Sequence, residues 1–266
     1  MFLGVDHLVI AVTDPDGAAA DLERHLGLEA TGGGRHETLG TFNRLVWLGD
    51  SYLELIGVFE RSLAERTWVG EPTVRALDAG GGLATWAIAS DALDRDVAGL
   101  RSTGADIGEP VPGERIRPDG KVARWRLATS RHLGPADPPF LIEHDLTAAE
   151  WSTDDRTARA EQLHPIGGPV RLETLELPVD DLNAAIQRFA RAAGLRFRPS
   201  LAGGGTRDAT IGGQTVRLRP TRGGSASAAT PAIRLAVAAA VEPRTAELLG
   251  CSWIVRATDS ANGAGW

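Results

Sequence analysis

Two ionisable side chains, His7 and Glu54, lie in stretches that are otherwise apolar and strand-like. His7 belongs to DHLVIAVTD at residues 6–14, and Glu54 belongs to YLELIG at residues 52–57. Because side chains on a strand alternate between its two faces, His7 points away from the bulkier face that contains Leu8. A buried charge without a partner is costly or shifts its pKa. The two side chains therefore predict a pocket in which an imidazole and a carboxylate bind a metal or move a proton.

The stretch around His7 recurs twice along the chain, which indicates internal duplication. HLVIAVTD at 7–14, ATWAIASD at 84–91 and TLELPVDD at 174–181 align without a gap. The last aspartate of each stretch is followed thirteen positions later by a glycine. Aspartate and glycine are residues that commonly begin and end a helix, so each pair brackets a helix. The pairs are Asp14 with Gly27, Asp91 with Gly104, and Asp181 with Gly194.

This recurrence predicts an α+β fold of tandem modules, each made of a strand, a helix and three further strands (βαβββ). The three copies are predicted at residues 5–58, 83–145 and 170–220. The predicted domains are a first domain at 1–145, a linker at 146–169 with a helical piece around 155–163, a third module at 170–256 with extra strands near 232–239 and 252–256, and a tail at 257–266. Shorter features are a glycine-rich turn at 32–34, strands at 44–48 and 51–57, and a flexible loop at 221–231.

Composition excludes several classes of protein. The net charge is −7 with a pI near 5.4, and no run of Lys and Arg indicates a nucleic-acid partner. Cys251 is the single cysteine, so an internal disulfide is excluded. The first residues lack the basic region of a signal peptide, and no apolar run reaches the ~20 residues that span a bilayer. We therefore expect a soluble, cytoplasmic protein without a membrane partner.

Tandem βαβββ units with Asp-His on the first strand and Leu-Glu-Leu on the fourth resemble the vicinal oxygen chelate superfamily. GGGRHETLGTFNRLVWLGDSYLELIG at 32–57 resembles its subset with a glyoxalase-like domain. The resemblance implies that modules one and two cup their sheets around a cavity, and that metal-using members take ligands from the first and fourth strands of each module. These positions fall on His7, Glu54, Ala84 and Glu143, of which Ala84 cannot bind a metal. The implied cofactor is a divalent ion, one of Zn, Ni, Mn, Mg or Fe(II).

A glycine-flanked segment supplies further candidates for the pocket. His36 precedes Thr41 and Asn43, and this arrangement allows a backbone and an amide to approach a ligand closely. We predict Thr41 and Asn43 as substrate-binding residues. The general base must lie within hydrogen-bond reach of the proton that it removes, and Glu54 and His36 are the predicted catalytic residues.

Aromatic and remaining ionisable residues complete the prediction. Trp47 and Trp86 are expected to form an apolar wall for the ligand, with Trp86 on the same face of its strand as Ala84. Glu143 and His144 are neighbours, so alternation sends them to opposite faces, and the repeat selects Glu143 for the cavity. The remaining histidines are expected to be structural or exposed; they are His25, His132 and His164.

Two classes of function fit these residues. In the first, a metal on His7, Glu54 and Glu143 stabilises an enolate or oxyanion during an isomerase or lyase step on a small carbonyl compound. In the second, a metal-free protein of the same superfamily sequesters a small hydrophobic molecule, as resistance-type members do. An Fe(II) dioxygenase ranks lower, because it normally uses two histidines with one carboxylate. Both classes of protein bind a small molecule. A homodimer is a further alternative, because the unpaired edge strands of the third module could pair with a second copy.

Overall fold

The structure is a computed structural model that describes residues 2–117, 119–221 and 229–258. Most of the predicted loop at 221–231 and of the predicted tail at 257–266 lies outside the described residues. The helices are α1 (Pro15–Leu26), α2 (Arg61–Ala64), α3 (Gly70–Asp78), α4 (Leu93–Ser102), α5 (Thr153–Ala160) and α6 (Leu182–Ala193). The strands are β1 (Phe2–Ala11), β2 (Gly32–His36), β3 (Thr41–Leu48), β4 (Ser51–Val58), β5 (Gly82–Ser90), β6 (Val111–Ile116), β7 (Val122–Ala128), β8 (Phe140–His144), β9 (Val170–Val179), β10 (Arg198–Pro199), β11 (Arg207–Ile211), β12 (Gln214–Pro220), β13 (Ala232–Val237), β14 (Arg244–Leu248) and β15 (Cys251–Ala257).

The first eight strands close into a barrel in the order β1, β4, β3, β2, β6, β7, β8, β5. In each half, the first strand pairs in parallel with the fourth: β1 with β4, and β5 with β8. The two halves meet where β1 pairs with β5 and where β2 pairs with β6. The predicted α+β fold, with two βαβββ modules cupped around an interior, is confirmed.

The remaining strands form a seven-stranded sheet in the order β10, β11, β12, β9, β13, β15, β14. Here β9 pairs in parallel with β12, and α6 follows β9, so the strand and helix order of the barrel halves recurs. The sheet continues beyond β9 into β13 and β15, near the two predicted extra strands, and β14 adds a strand that the sequence did not predict.

The helix boundaries follow the aspartate and glycine pattern in the first and third copies. Asp14 caps α1 and Asp181 caps α6 through backbone N–H groups of the first turn. Gly27 and Gly194 end these helices with φ of 69° and 64°, the left-handed conformation that glycine adopts without strain. In the second copy the cap residue of α4 is Ala92, one position beyond the predicted aspartate, and its side chain makes no capping bond.

Two apolar clusters lie on opposite sides of the barrel wall. Outside, β1, β4 and β5 pack against the helices and the third module in one large cluster. Inside, a smaller cluster contains Val9, Ile56, Ala84, Phe140 and Ile142. Alternation of side chains along each strand therefore separates an outer core from a lined interior, except at the bulges.

One expectation for the connecting segments changes. The predicted glycine-rich turn at 32–34 is part of β2, which pairs with β3 along its whole length. A Cβ on Gly33 would lie 2.3 Å from the carbonyl oxygen of Asn43, and its φ is 139°, so the glycines are needed inside a strand. The predicted linker contains α5, and α2 and α3 fill the connection between the first two copies. No helix in the described ranges is both long and apolar enough to cross a membrane.

Candidate active site

A β-bulge on β1 turns two consecutive acid–base residues toward the barrel interior. Between Val5 and Leu8, β1 advances three residues while its partner β5 advances two. The extra residue breaks the alternation, so Asp6 and His7 are both buried and both contact interior side chains.

His7 is held from both ends of its ring. Its Nδ1 lies 2.6 Å from Oδ1 of Asp6, and its Nε2 lies 3.7 Å from Oε2 of Glu54. The ring stacks on Tyr52 with centroids 4.5 Å apart, and it meets the ring of Phe140 in a T-shaped arrangement. The imidazole is therefore fixed in orientation, with Nε2 facing the carboxylate of Glu54.

Glu54 is fixed by the neighbouring strand. Asn43 on β3 donates from Nδ2 to Oε1 of Glu54 at 2.6 Å. Leu45 is the residue directly opposite Glu54, so Asn43 occupies the diagonal position on the same face. Glu54 is 8% exposed, and Oδ1 of Asn43 is buried with no partner in the described residues. That orphaned acceptor lies next to the carboxylate.

His36 is a buried histidine on the same wall. It lies opposite Thr41 on the β2–β3 ladder, and its Nδ1 lies 3.0 Å from the Thr41 hydroxyl oxygen. Burial lowers the pKa of His36 to about 4; the negative charge of Glu54 opposes this shift and the positive charge of Arg115 adds to it. The imidazole is therefore neutral at physiological pH.

Asp6 joins the two halves of the barrel. Its Oδ2 lies 2.9 Å from Nε2 of His144 on β8, while its Oδ1 contacts His7. Burial alone would raise the pKa of Asp6, but the charges and hydrogen bonds of His144 and His7 outweigh it and hold that pKa well below its usual range. An ionised carboxylate only accepts hydrogen bonds, so the contacting nitrogens of both histidines carry protons.

A buried ion pair lines the interior. Arg115 on β6 donates to Glu150 at 2.6 Å and to the carbonyl of Gly33 at 2.7 Å, and both charged side chains are buried.

Burial raises the pKa of Tyr52 well above its ordinary value, helped by the charges of Asp6 and Glu54. Tyr52 therefore stays protonated beside His7.

These side chains surround a small cavity of about 40 Å³ inside the barrel. His7, His36, Asn43, Trp47 and Glu54 all line it, so the structure brings these predicted residues together. The predicted Thr41 is fully buried behind the wall and contacts it through His36. Six aromatic side chains line the cavity, Trp47 among them; the other five are Tyr52, Trp68, Trp125, Phe140 and Trp151.

Glu143 does not face the cavity, and His144 takes the inward position instead. Phe140 and Ile142 fill the interior, so alternation along β8 sends Glu143 outward and His144 inward. The carboxylate of Glu143 lies 3.6 Å from Nη1 of Arg126 on the outer side. The ring of His144 stacks on Trp151 at 3.5 Å between centroids. The sequence match of PFLIEHD with YLELIG therefore predicted that Glu143 faces inward, whereas the residue that faces inward is His144, the next one along the strand.

Trp86 also lies outside the cavity. Val9 of β1 pairs with Thr85 of β5, but the next residue, Ile10, pairs with Leu83, so β5 has one extra residue here. This bulge puts Ala84 inside the barrel and Trp86 outside. Trp86 is fully buried against Phe189 of α6, with ring centroids 6.2 Å apart. The predicted wall residue is instead part of the contact between the barrel and the third module.

The predicted metal ligands do not converge. Glu143 lies outside the barrel wall, which leaves His7 and Glu54 as the facing pair of the predicted set. Within the ranges that the structure describes, no group of three or more His, Cys, Asp or Glu side chains could hold a metal ion. The donor set does not fit the implied divalent ion, and we assign no chemical step to one.

Several residues of the site have no role predicted from the sequence. Asp6 stands in the same DHLVIAVTD motif as His7, so its adjacency to the histidine was an available signal. No motif of the sequence marks Arg115, Glu150 or Trp151, and the closure of the barrel brings them to the cavity.

A barrel closed by two βαβββ modules around a buried imidazole and carboxylate is the architecture of the vicinal oxygen chelate superfamily. A family model described as glyoxalase-like domain matches residues 5–193, and the chain belongs to this family within that superfamily.

A solved structure shares this fold at low sequence identity. A hypothetical protein from Staphylococcus aureus is 14% identical with a TM-score of 0.76, and the match covers 96% of this chain and 99% of that one. A Streptomyces coelicolor methylmalonyl-CoA epimerase in complex with 2-nitronate-propionyl-CoA is 20% identical with a TM-score of 0.42, over 56% of this chain and 99% of that one. A comparison with curated proteins finds no match.

Proposed function

We propose that the chain is a glyoxalase-like enzyme of the isomerase or lyase type, which moves a proton at a carbon next to a carbonyl group in the barrel cavity. One observation carries this proposal. Nε2 of His7 and Oε2 of Glu54 face each other at 3.7 Å, while Asp6 and Asn43 hold the other polar atom of each side chain at 2.6 Å. Two oriented acid–base atoms thus share one enclosed space.

Each member of the pair has a distinct task in this proposal. Glu54 is the base that takes the proton from carbon through Oε2. His7 receives a proton through Nε2 and can then return it, because its Nδ1–H donates to Asp6 and this tautomer leaves Nε2 unprotonated. This is the role that a carboxylate behind a histidine has in many acid–base sites.

His36 is suited to stabilise the oxygen of the substrate. Its pKa of about 4 keeps the ring neutral. When the Thr41 hydroxyl donates to Nδ1, the proton resides on Nε2, which can donate to a developing enolate oxygen. The aromatic wall excludes water, so such a hydrogen bond is stronger than it would be in solution.

Proton exchange with solvent tests the proposal. In D₂O we expect the protein to incorporate deuterium next to the carbonyl of hydroxyacetone or pyruvate, measured by NMR against a sample without protein. Glu54→Gln should slow the exchange by roughly 10²–10⁴-fold, the usual contribution of a general base. Glu143→Gln is the matched control and should exchange at the wild-type rate. Exchange by Glu54→Gln that is as fast as wild type would contradict the assignment.

A second candidate function is sequestration of a small apolar molecule without turnover. The six aromatic side chains around the cavity favour it, since aromatic walls bind apolar ligands by area and by stacking. The same experiment separates the two functions. Saturable binding of a carbonyl compound without deuterium incorporation supports sequestration, and incorporation that depends on Glu54 supports the enzyme.

A further inference from the structure

A second hollow of about 540 Å³ adjoins the barrel cavity on its outer side. It lies between α5 and the β2–β3 strands, and it shares Trp47 and Glu150 with the wall of the barrel cavity. Its volume is within the range of small-molecule sites, whereas the barrel cavity has room for little more than the reacting group.

Arg159 of α5 is buried in this hollow without an acidic partner at ion-pair distance. The side chain is 8% exposed, and its Nε and Nη2 have no hydrogen-bond partner in the described residues. Burial lowers its pKa, against the attraction of Asp50, Glu150 and Asp155. Native proteins pair nearly all buried polar groups, so two orphaned donors on one guanidinium require an explanation.

The orphaned donors are arranged for an anion. Nε–H and one Nη–H of a guanidinium form the side-on fork that binds both oxygens of a carboxylate or two oxygens of a phosphate. Gln162 also lines the hollow, and its buried Nε2 has no partner in the part of the chain that the structure describes. The guanidinium is held in place because it stacks over Trp47 at 4.1 Å and over Trp151 at 4.6 Å.

The acids of the hollow have other partners. Glu150 accepts from Arg115 and lies 3.8 Å from Arg117, and Asp119 lies 3.2 Å from Arg117. Asp155 accepts from the Ser152 hydroxyl at 2.7 Å. The free hydrogen-bonding capacity of the hollow is therefore that of donors, which suits an anionic ligand.

We infer that Arg159 is the centre of a subsite for an anionic group, and that the substrate of the barrel cavity is a carbonyl compound carrying a carboxylate or phosphate. The inference rests on the proposed function for the identity of the ligand. The anionic group occupies the outer hollow against Arg159 and Gln162, and in this inference the substrate extends past Trp47 and Glu150, which line both cavities, to place its carbonyl end next to His7 and Glu54.

Anion binding tests the subsite directly. Isothermal titration with inorganic phosphate and with acetate should show saturable binding of at least one anion by the wild type, and the stronger ligand identifies the class. Arg159→Gln should weaken that binding at least tenfold, because it removes a charge-assisted fork. Arg156→Gln is the matched control, since Arg156 lies on the same helix but is exposed and paired with Asp50. Its affinity should stay within twofold of wild type.

Two results would overturn the subsite: a wild type that binds neither anion, or an Arg159→Gln variant that binds as tightly as wild type. If Arg159→Gln does not fold, judged by its thermal transition, Arg159→Lys replaces it. Lysine keeps the charge without the planar fork, and we expect it to lose at least fivefold in affinity. Unchanged affinity in a folded Arg159→Lys variant would equally overturn the subsite.

Deuterium exchange separates this inference from the proposed function. We expect Arg159→Gln to raise KM for 6-oxoheptanoate, a keto acid whose carboxylate and carbonyl are separated by several methylene groups, at least tenfold and to leave the exchange of neutral hydroxyacetone unchanged. Anion binding that requires Arg159, without exchange of either ketone, would refute the enzyme and keep the subsite. Exchange that requires Glu54 but is insensitive to Arg159 for both ketones would refute the subsite and keep the enzyme.

Discussion

At the scale of single residues, the site depends on one carboxylate that contacts two imidazoles from different halves of the barrel. Asp6 reaches His7 on its own strand and His144 on β8. The sequence indicated His7, Glu54, His36 and Asn43 because each is a polar residue within or beside an apolar pattern. It did not indicate His144. Glu143 and His144 are neighbours on one strand, and the sequence match between the two modules does not determine which of them faces the interior. The chemical roles of these residues stay predictions.

The buried neutral His36 predicts a loss of stability in mild acid. Its pKa is 6.5 in the unfolded chain and about 4 in the fold. Between these values the unfolded state binds more protons, so the stabilisation that is present above pH 6.5 is lost as the pH falls to about 4. The shift corresponds to roughly 3 kcal/mol. Urea unfolding of the wild type between pH 7 and pH 4 should show this decline.

His36→Gln should reduce that decline, because glutamine does not titrate. His132→Gln is the matched control: His132 is an exposed histidine, and its replacement should leave the pH dependence of the unfolding free energy unchanged. An unfolding free energy that falls equally steeply with pH in His36→Gln and wild type would refute the assignment of the acid sensitivity to this ring.

At the scale of elements, the sequence predicted the units well and their registers poorly. Aspartate, an apolar helical stripe and glycine are local signals, so α1 and α6 begin and end where the pattern places them. Bulges are set by pairing with another strand, and no local pattern marks the ones that displace Asp6 and Ala84. Glycines normally predict the end of a strand. Gly33 instead lies inside β2, because β3 approaches too closely for a side chain at this position.

The two glycines that end α1 and α6 predict different costs for the same substitution. Both have a left-handed φ, so alanine at either position costs about 1–2 kcal/mol from backbone strain. At Gly194 the nearest atom to a new Cβ is 3.6 Å away, whereas at Gly27 it is the backbone nitrogen of Ile166 at 2.8 Å. That nitrogen donates to the carbonyl of Gly27 at 3.0 Å and cannot move freely.

We therefore expect Gly27→Ala to be about 1–3 kcal/mol more destabilising than Gly194→Ala, by the usual cost of overpacking. Chemical denaturation of both variants measures the difference. Equal losses would mean that the turn containing Ile166 relaxes without cost, and would contradict the rigid contact between the end of α1 and this turn.

At the scale of the whole molecule, the segments outside the two barrel modules help to build the site. The predicted linker supplies Glu150 and Trp151 to the cavity wall. Gln214 of the third module accepts from the backbone N–H of Val5 at 2.6 Å and donates to the Ser51 hydroxyl at 2.7 Å, next to the bulge that carries Asp6. Long-range contacts of this kind have no signature in the sequence. The predicted domain boundaries, cytoplasmic location and homodimer stay predictions.

A single apolar cluster joins the outer face of the barrel to the third module, and this predicts that the two unfold together. Phe189 of α6 is fully buried against Trp86 of β5, so Phe189→Ala should cost about 3–5 kcal/mol. The control Leu201→Ala changes an exposed side chain of the same module and should stay within about 0.5 kcal/mol. In urea, far-ultraviolet circular dichroism and tryptophan fluorescence should report coincident transitions for Phe189→Ala, shifted to lower denaturant. Two separate transitions, with the barrel unfolding at the wild-type midpoint, would show that the third module folds independently and does not stabilise the barrel that contains the site.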